Sequence, residues 1–395
     1  MVHGSATSDS NTLPTVLILG LGDTGVLTAG HLSKHCRVIG VTTKAMMISG
    51  QELGLRLTKP AEWRRNYLIP LDHYRRLKKV EIIHGKAIGV DPIARTAALE
   101  LASGESRRVH WDYLVIASGV SNGFWRDDRL DTRRVTESRL ASQHAAVTAA
   151  RSIAVVGGGP SGISSAFNLK RVYPSKAVTL FFPGQQLLPG YPDSTRRYHR
   201  ELLAKEGVTL KAGHRAVLGD DLTTSDWTHG CLEFEGDHPN YRADLIIWAA
   251  GRLKPHTDFL PKDMLDAAGF VRTDTCLNVE GYVRIFAIGD VAATDPLRCS
   301  ARNWAYKVLC RNLLARINQR PLPARFSPPA YRWGSILGPQ TEGLRLHSPS
   351  GKSRVLPRWF VRWLLYPLVV RRFIYGGLSA KGAGAFAKET VSSDN

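Results

Sequence analysis

Two apolar runs of similar length open the same pattern along the chain. Val16 to Leu19 leads into Gly20, Gly22 and Gly25, and Ile153 to Val156 leads into Gly157, Gly159 and Gly162. Each glycine set is followed by an alanine- and leucine-bearing stretch and then by another apolar run, Arg37 to Val41 and Ala177 to Phe182. Short apolar runs bounded by turn residues predict buried strands, and the longer stretch between them predicts a helix. The chain therefore predicts a strand–turn–helix–strand unit twice, the building block of a parallel α/β sheet. Two further runs, YLVIASG (Tyr113 to Gly119) and LIIWAAGR (Leu245 to Arg252), predict buried strands ending in small residues. A third, VRIFAIGDVA (Val283 to Ala292), predicts a strand running into Gly289-Asp290 and a helix.

The glycine spacing gives these turns a chemistry. In G-x-G-x-x-G after a strand, the first glycine permits the tight turn and the second lets backbone approach a pyrophosphate. The third lets helix pack closely on strand. The helix then offers free N–H groups and a positive dipole end to the phosphates. One such turn is a weak signal; two, each opening a βαβ unit, imply two dinucleotides. Strand ends made of Ala117, Ser118 and Gly119, and of Ala250 and Gly251, let a cofactor lie against bare backbone.

Composition narrows the class. With 395 residues and 43% hydrophobic content the chain is long enough for two or three domains with sizeable cores. Five cysteines (Cys36, Cys231, Cys276, Cys299, Cys310) form no C-x-x-C pair, which argues against a disulfide framework, a zinc knuckle and a redox-active dithiol. The histidines lack metal-ligand spacing, and no metal is expected. The N-terminus has no apolar core of a secretory signal and no run has the length of a transmembrane helix, so a cytoplasmic location is expected. Positive charge is concentrated late. From Arg298 onward there are 17 Lys+Arg against 3 Asp+Glu, net +14 of the total +19. Such a basic quarter points to a polyanionic surface, lipid headgroups or nucleic acid.

Taken in order, GLGDTG, ASG, GGGPSG, AAGR and IGD resemble the two-dinucleotide-binding-domain flavoproteins of the pyridine nucleotide–disulfide oxidoreductase superfamily. The nearer branch is similar to type II NADH dehydrogenases and apoptosis-inducing-factor-like NAD(P)H:quinone reductases. The resemblance covers about residues 14–345 and implies an α/β fold of two Rossmann-like domains, the second inserted into the first. It places FAD on a discontinuous domain of residues 12–120 and 253–325, and NAD(P)H on residues 121–252. Residues 326–395 would form a C-terminal β region, with YRWGSILG pairing to LRLHS, and a basic amphipathic segment. The implied activity is hydride transfer from NAD(P)H to flavin, then electron delivery to a quinone-type acceptor.

Carried over position by position, Gly20, Gly22, Asp23, Thr24 and Gly25 match the FAD pyrophosphate loop, with Ala117, Ser118 and Gly119 beside it. Gly289 and Asp290 match the ribityl-binding pair. Lys44 falls where the branch has a basic residue after its second strand, and Arg56 where relatives carry an arginine near the flavin. Gly157, Gly159, Pro160, Ser161 and Gly162 match the NAD(P) loop, with Ala250 and Gly251 at the second small-residue strand end. No catalytic acid, base or nucleophile is identified.

The departures carry as much information. The ribose-holding carboxylate at the end of the second strand is replaced by Thr42 in the first unit and by Phe182 in the second. The latter removes repulsion against a 2′-phosphate, so NADPH is expected to serve at least as well as NADH. Asp23 sets a carboxylate inside a phosphate loop, where its charge must point away or be neutralised. Ser164 stands where the family has a glutamate near flavin and quinone, two residues after Gly162.

The segment PRWFVRWLLYPLVVRRFIYGG mixes Trp359, Phe360 and Trp363 with Arg358, Arg362, Arg371 and Arg372. It is too short and interrupted to span a bilayer, and its composition suits a monotopic helix on the cytoplasmic face of a membrane. The alternative is a helix capping the flavin domain or pairing two subunits as a homodimer. Pro367 is expected to break it into two pieces. Two other functions stay open: a soluble reductase of an acidic redox protein, and an apoptosis-inducing-factor-like signalling or nucleic-acid-binding flavoprotein. Nucleic acid is the less expected partner, since no base-reading motif is present.

Overall fold

The computed structural model describes residues 13–48, 53–121, 127–218, 227–250, 253–298, 304–331 and 334–379. The first glycine turn lies between β1 (Thr15–Leu19) and α1 (Asp23–Leu32), which returns to β2 (Arg37–Thr42). Two short helices follow, α2 (Leu53–Thr58) and α3 (Pro60–Tyr67), then β3 (Val80–Asp91), β4 (Thr96–Leu101), β5 (Ser106–His110) and β6 (Tyr113–Ile116). After α4 (Arg133–Ala149) the motif repeats as β7 (Ser152–Val156), α5 (Pro160–Val172) and β8 (Ala177–Phe181). This second unit continues with α6 (Asp193–Glu206), β9 (Thr209–Lys211), β10 (Trp227–Leu232) and β11 (Tyr241–Trp248). The chain then returns to the first sheet with β12 (Ile285–Ala287) and covers it with α7 (Ala305–Ile317).

The first sheet has the order β12-β6-β1-β2-β3-β4-β5 and the second the order β9-β8-β7-β11-β10. The five strands β12 to β3 are parallel, and a β3–β4–β5 meander closes that edge antiparallel. In the second sheet only β10 is antiparallel. Parallel strands are buried on both faces, which explains the unbroken apolar runs. Along β1, Val16 and Ile18 enter one core cluster and Leu17 and Leu19 the cluster on the opposite face. Along β7, Ile153 and Val155 face one way and Ala154 and Val156 the other. Two connectors join the units, and they pair antiparallel, Lys254 with Ser121 and Pro255 with Val120.

Three expectations are corrected. No helix starts at Asp290: β12 ends at Ala287, Gly289 turns with φ +89°, and the next described helix is α7. A glycine turn into loop suffices to present Asp290. The C-terminal hairpin pairs β13 (Leu344–His347) with β14 (Ser353–Leu356), not with YRWGSILG; among the described residues of that stretch, Gly334 bridges to His347. The reason is local: Pro349, Ser350 and Gly351 supply a tight turn just after LRLHS, with Gly351 at φ +79°. Finally, Pro367 does not divide the last helix. A turn at Arg358–Phe360 runs on as wide π-type turns over Val361–Ile374, closed by the Tyr375 amide donating to the Val370 carbonyl at 3.1 Å. Wide turns leave room for the proline ring and its missing donor.

Candidate functional site

The two glycine loops are built alike. Gly20 has φ +107° and Gly157 φ +127°, and a Cβ on either would lie 2.3 Å from the Ala117 carbonyl oxygen or 2.6 Å from that of Ala249. Gly25 and Gly162 let each helix touch its own turn, since a Cβ there would come within 1.9 Å and 1.8 Å of the Gly20 and Gly157 carbonyl oxygens. The middle glycines differ. A Cβ on Gly22 or Gly159 meets nothing within 4 Å, although both have ordinary backbone angles as the caps of α1 and α5. Space is therefore kept open at the helix N-termini, where N–H groups converge and where a pyrophosphate would fit. Pro160 opens α5 without losing a helical donor, and the Ser161 carbonyl accepts from Ser165 Oγ at 2.7 Å.

Tertiary contacts bring distant motifs to the first loop. A Cβ on Gly289 would lie 3.3 Å from Thr24 Oγ1, which sets Gly289-Asp290 against the start of α1. Ala117 hangs from β1, its amide donating to the Leu19 carbonyl, and Gly119 is left-handed with open space beside it. Ser118 Oγ donates to the His256 carbonyl at 2.7 Å, while His256 Nδ1 and Nε2 lie 3.0 Å and 2.7 Å from the Ser118 carbonyl and Ser121 Oγ. His256 thus clasps the returning connector to the strand end, and its burial lowers its pKa. Ala250 packs beside the second sheet's core; Gly251 lies outside the described residues.

Thr42 and Lys44 both make contacts within the chain. Thr42 Oγ1 donates to the Lys44 carbonyl at 3.0 Å and closes a local turn. Lys44 Nζ meets Asp127 at 2.6 Å and Asp131 at 2.5 Å, and Arg139 bridges the same two carboxylates. Burial opposes the charge on Asp127, but hydrogen bonds from Arg129 and Lys44 and the Arg139 charge hold its carboxyl well below the usual range. Lys44 therefore ties the end of β2 to the outgoing connector. Arg56 is 1% exposed on α2.

The second loop's helix forms the junction. Ser164 on α5 is buried, Gly54 of α2 donates its amide to Ser164 Oγ at 3.3 Å, and Asn168 Nδ2 donates to the Ser164 carbonyl and to Leu337. Gln340 closes the network on Asn168 Oδ1 at 3.1 Å. Phe182 follows β8 and is buried in one apolar cluster with Leu187 and Leu188. The slot for a ribose-binding carboxylate is thus occupied by core. Arg196 pairs with Asp193 on its own helix.

The C-terminal segment touches the first loop directly. The Tyr375 hydroxyl donates to Asp23 Oδ1, and the ring stands edge-on to Tyr74 at 5.6 Å. Tyr366 meets Tyr67 of α3, hydroxyl to hydroxyl at 2.5 Å, and Arg371 donates to the Arg65 carbonyl. The other side of the segment is bare, with Trp359 61%, Trp363 64% and Phe373 68% exposed. No described helix is long and apolar enough to cross a membrane, and no group of metal-binding residues occurs among the described residues. Sequence reading missed Tyr375, His256, Asn168 and Asp127; only the need to neutralise the Asp23 charge hinted at any of them.

Residues 13–307 match the model of the pyridine nucleotide-disulphide oxidoreductase family. Among curated proteins the chain is 30% identical to oxidoreductase ptaL of Pestalotiopsis fici over 222 residues, 55% of this chain and 57% of that one. It is 26% identical to mouse ferroptosis suppressor protein 1 over 250 residues, 61% of this chain and 65% of that one. The match thus spans less than two thirds of either relative. Among solved structures, the sulfide:quinone oxidoreductase of Aquifex aeolicus has the same fold, with TM-score 0.63, 15% identity and 92% of each chain covered.

Proposed function

Because the chain belongs to the pyridine nucleotide-disulphide oxidoreductase family, we propose that it is an FAD-dependent NAD(P)H oxidoreductase that reduces a quinone at a membrane surface. The observation that carries this reading is the duplicated loop, each copy with a middle glycine facing open space at a helix N-terminus. Gly22, the N–H groups of α1, Thr24 and Asp290 would hold FAD, and Gly159, Ser161 and the N-terminus of α5 would hold NAD(P)H. A bound flavin supplies hydride acceptance from a reduced nicotinamide and release of electrons singly or in pairs.

The chain's part is placement and exclusion of water. Helix α2 carries Leu57 into the core of the second unit, and Gly54 rests on the α5 backbone, so the two nucleotide units meet through a dry contact. The connectors, clasped by His256, are fixed to the strand end beside the first loop. Ser164 spends its hydroxyl on Gly54 and supplies no carboxylate there.

Three features favour a quinone as the acceptor. The cysteines form no C-x-x-C dithiol. The solved structure of the same fold, covering 92% of each chain, acts on quinone by its name. The last helix exposes tryptophan and phenylalanine beside Arg358, Arg362 and Arg372, the mixture favoured at a headgroup layer. Anaerobic flavin bleaching by NADH and NADPH, followed by reoxidation with ubiquinone analogues, a ferredoxin and air, tests the reading. Fast reoxidation by the ferredoxin or by air alone would replace the quinone with that acceptor.

A further inference from the structure

We propose that Tyr375 is a positioning residue of the flavin phosphate site, acting through Asp23. By donating its phenolic O–H to that carboxylate, it keeps a negative charge off the incoming pyrophosphate. The C-terminal segment thereby sets how tightly FAD is held, an inference that rests on FAD occupying the first loop.

Asp23 is the first residue of α1, inside the G-x-G-x-x-G turn, at the end where the helix dipole would otherwise serve a phosphate. A carboxylate there is stabilised by the same N–H groups and dipole that a pyrophosphate needs, so it competes with the ligand and repels it. Pro160, at the equivalent position in the second loop, brings no charge.

The structure supplies the remedy from 352 residues away. Tyr375 is 7% exposed and its hydroxyl donates to Asp23 Oδ1. A charge-assisted hydrogen bond of this kind fixes a carboxylate's direction and disperses its charge. The tyrosine is held in turn. Arg75 donates its amide to the Gly377 carbonyl, Ser379 donates to His73, and Arg76 Nη1 donates to the Ile374 carbonyl at 3.1 Å. Gly376 and Gly377 have φ +79° and +92°, and a Cβ on Gly376 would lie 2.1 Å from Arg76 Nε, so the turn that aims Tyr375 favours glycine. Tyr74 packs on the same ring; burial and the Asp23 charge both push its phenol up.

The test follows FAD release from full-length holoprotein after dilution, read by flavin fluorescence. Tyr375→Phe should release FAD about tenfold faster than wild type, the equivalent of ~1.4 kcal/mol. The defect should shrink in 1 M salt, where the screening length falls to about 3 Å. In an Asp23→Asn background, Tyr375→Phe should have no further effect, because no charge remains to be steered. An equal loss in both backgrounds, or one indifferent to salt, makes Tyr375 a packing residue and overturns the proposal. Should Tyr375→Phe alone fail to fold, D23N/Y375F carries the test: FAD held as in wild type supports it, and a tenfold loss overturns it. A wild-type chain that holds no FAD overturns the reading of the first loop itself.

Discussion

The Gly54 amide donates to Ser164 Oγ at 3.3 Å, joining α2 of the first unit to α5 of the second with almost no side chain between them. A Cβ on Gly54 would come within 2.1 Å of the Ser164 carbonyl oxygen. The small serine is thus matched by a glycine opposite. Ser164→Ala should cost about 1 kcal/mol, the worth of one buried hydrogen bond. Ser164→Glu should cost roughly 3 kcal/mol or more by overpacking and burying a carboxylate. Urea unfolding of both variants checks the order; a harmless glutamate would show that the helices part easily.

Glycines of one loop should fail in two different ways. Gly22→Trp projects into open space and should give a folded protein without flavin, whereas Gly25→Ala forces a Cβ to 1.9 Å of the Gly20 carbonyl and should unfold the turn. Flavin absorbance per chain and the melting temperature separate the two outcomes. Full FAD occupancy in Gly22→Trp would remove the first loop from the cofactor site.

NADPH should bleach the flavin at least as well as NADH, since Phe182 offers no carboxylate to repel a 2′-phosphate. Installing an acid at that position does not make a clean specificity switch. Phe182 is buried, and Phe182→Glu should cost several kcal/mol of stability before it alters preference. Stopped-flow reduction of wild type and thermal melting of the variant check both halves. A strong NADH preference in wild type would mean that another group reads the ribose.

Acid should weaken the contact between α6 and the C-terminal hairpin. His199 and His347 are both buried, with ring centroids 4.8 Å apart. Burial, with His347 and Arg345 nearby, lowers the His199 pKa to about 4 from 6.5. The unfolded chain then binds the extra proton first, so this contribution is complete above pH 6.5 and is lost as pH falls towards 4. Its size is about 3 kcal/mol for one such group. His199→Phe should flatten the stability profile across that window; an unchanged slope would assign it to other histidines.

Replacing the exposed Trp359, Trp363 and Phe373 together by serine should abolish co-sedimentation with anionic liposomes while sparing flavin content. Removing the whole segment is a poorer test, because Tyr366 and Tyr375 belong to the packing of the flavin unit. Retained liposome binding in the triple variant would transfer the role to basic residues elsewhere.

Much of the architecture is legible in the sequence by itself. Period and length of the apolar runs marked the parallel strands at the centre of each sheet, and glycine spacing marked both loops, because these signals depend on neighbours within a single βαβ unit. The sequence could also mark Asp23 and Phe182 as departures from the loop pattern, and Ser164 through the family resemblance. What answers each departure was decided only in three dimensions. Tyr375 reaches Asp23, Gly54 meets Ser164, and Lys44 finds Asp127 and Asp131 across large separations that no local pattern encodes. The last helix shows the same division. Its composition declared it amphipathic, but only packing chose which aromatics enter the core, because burial depends on what the rest of the chain brings to that face.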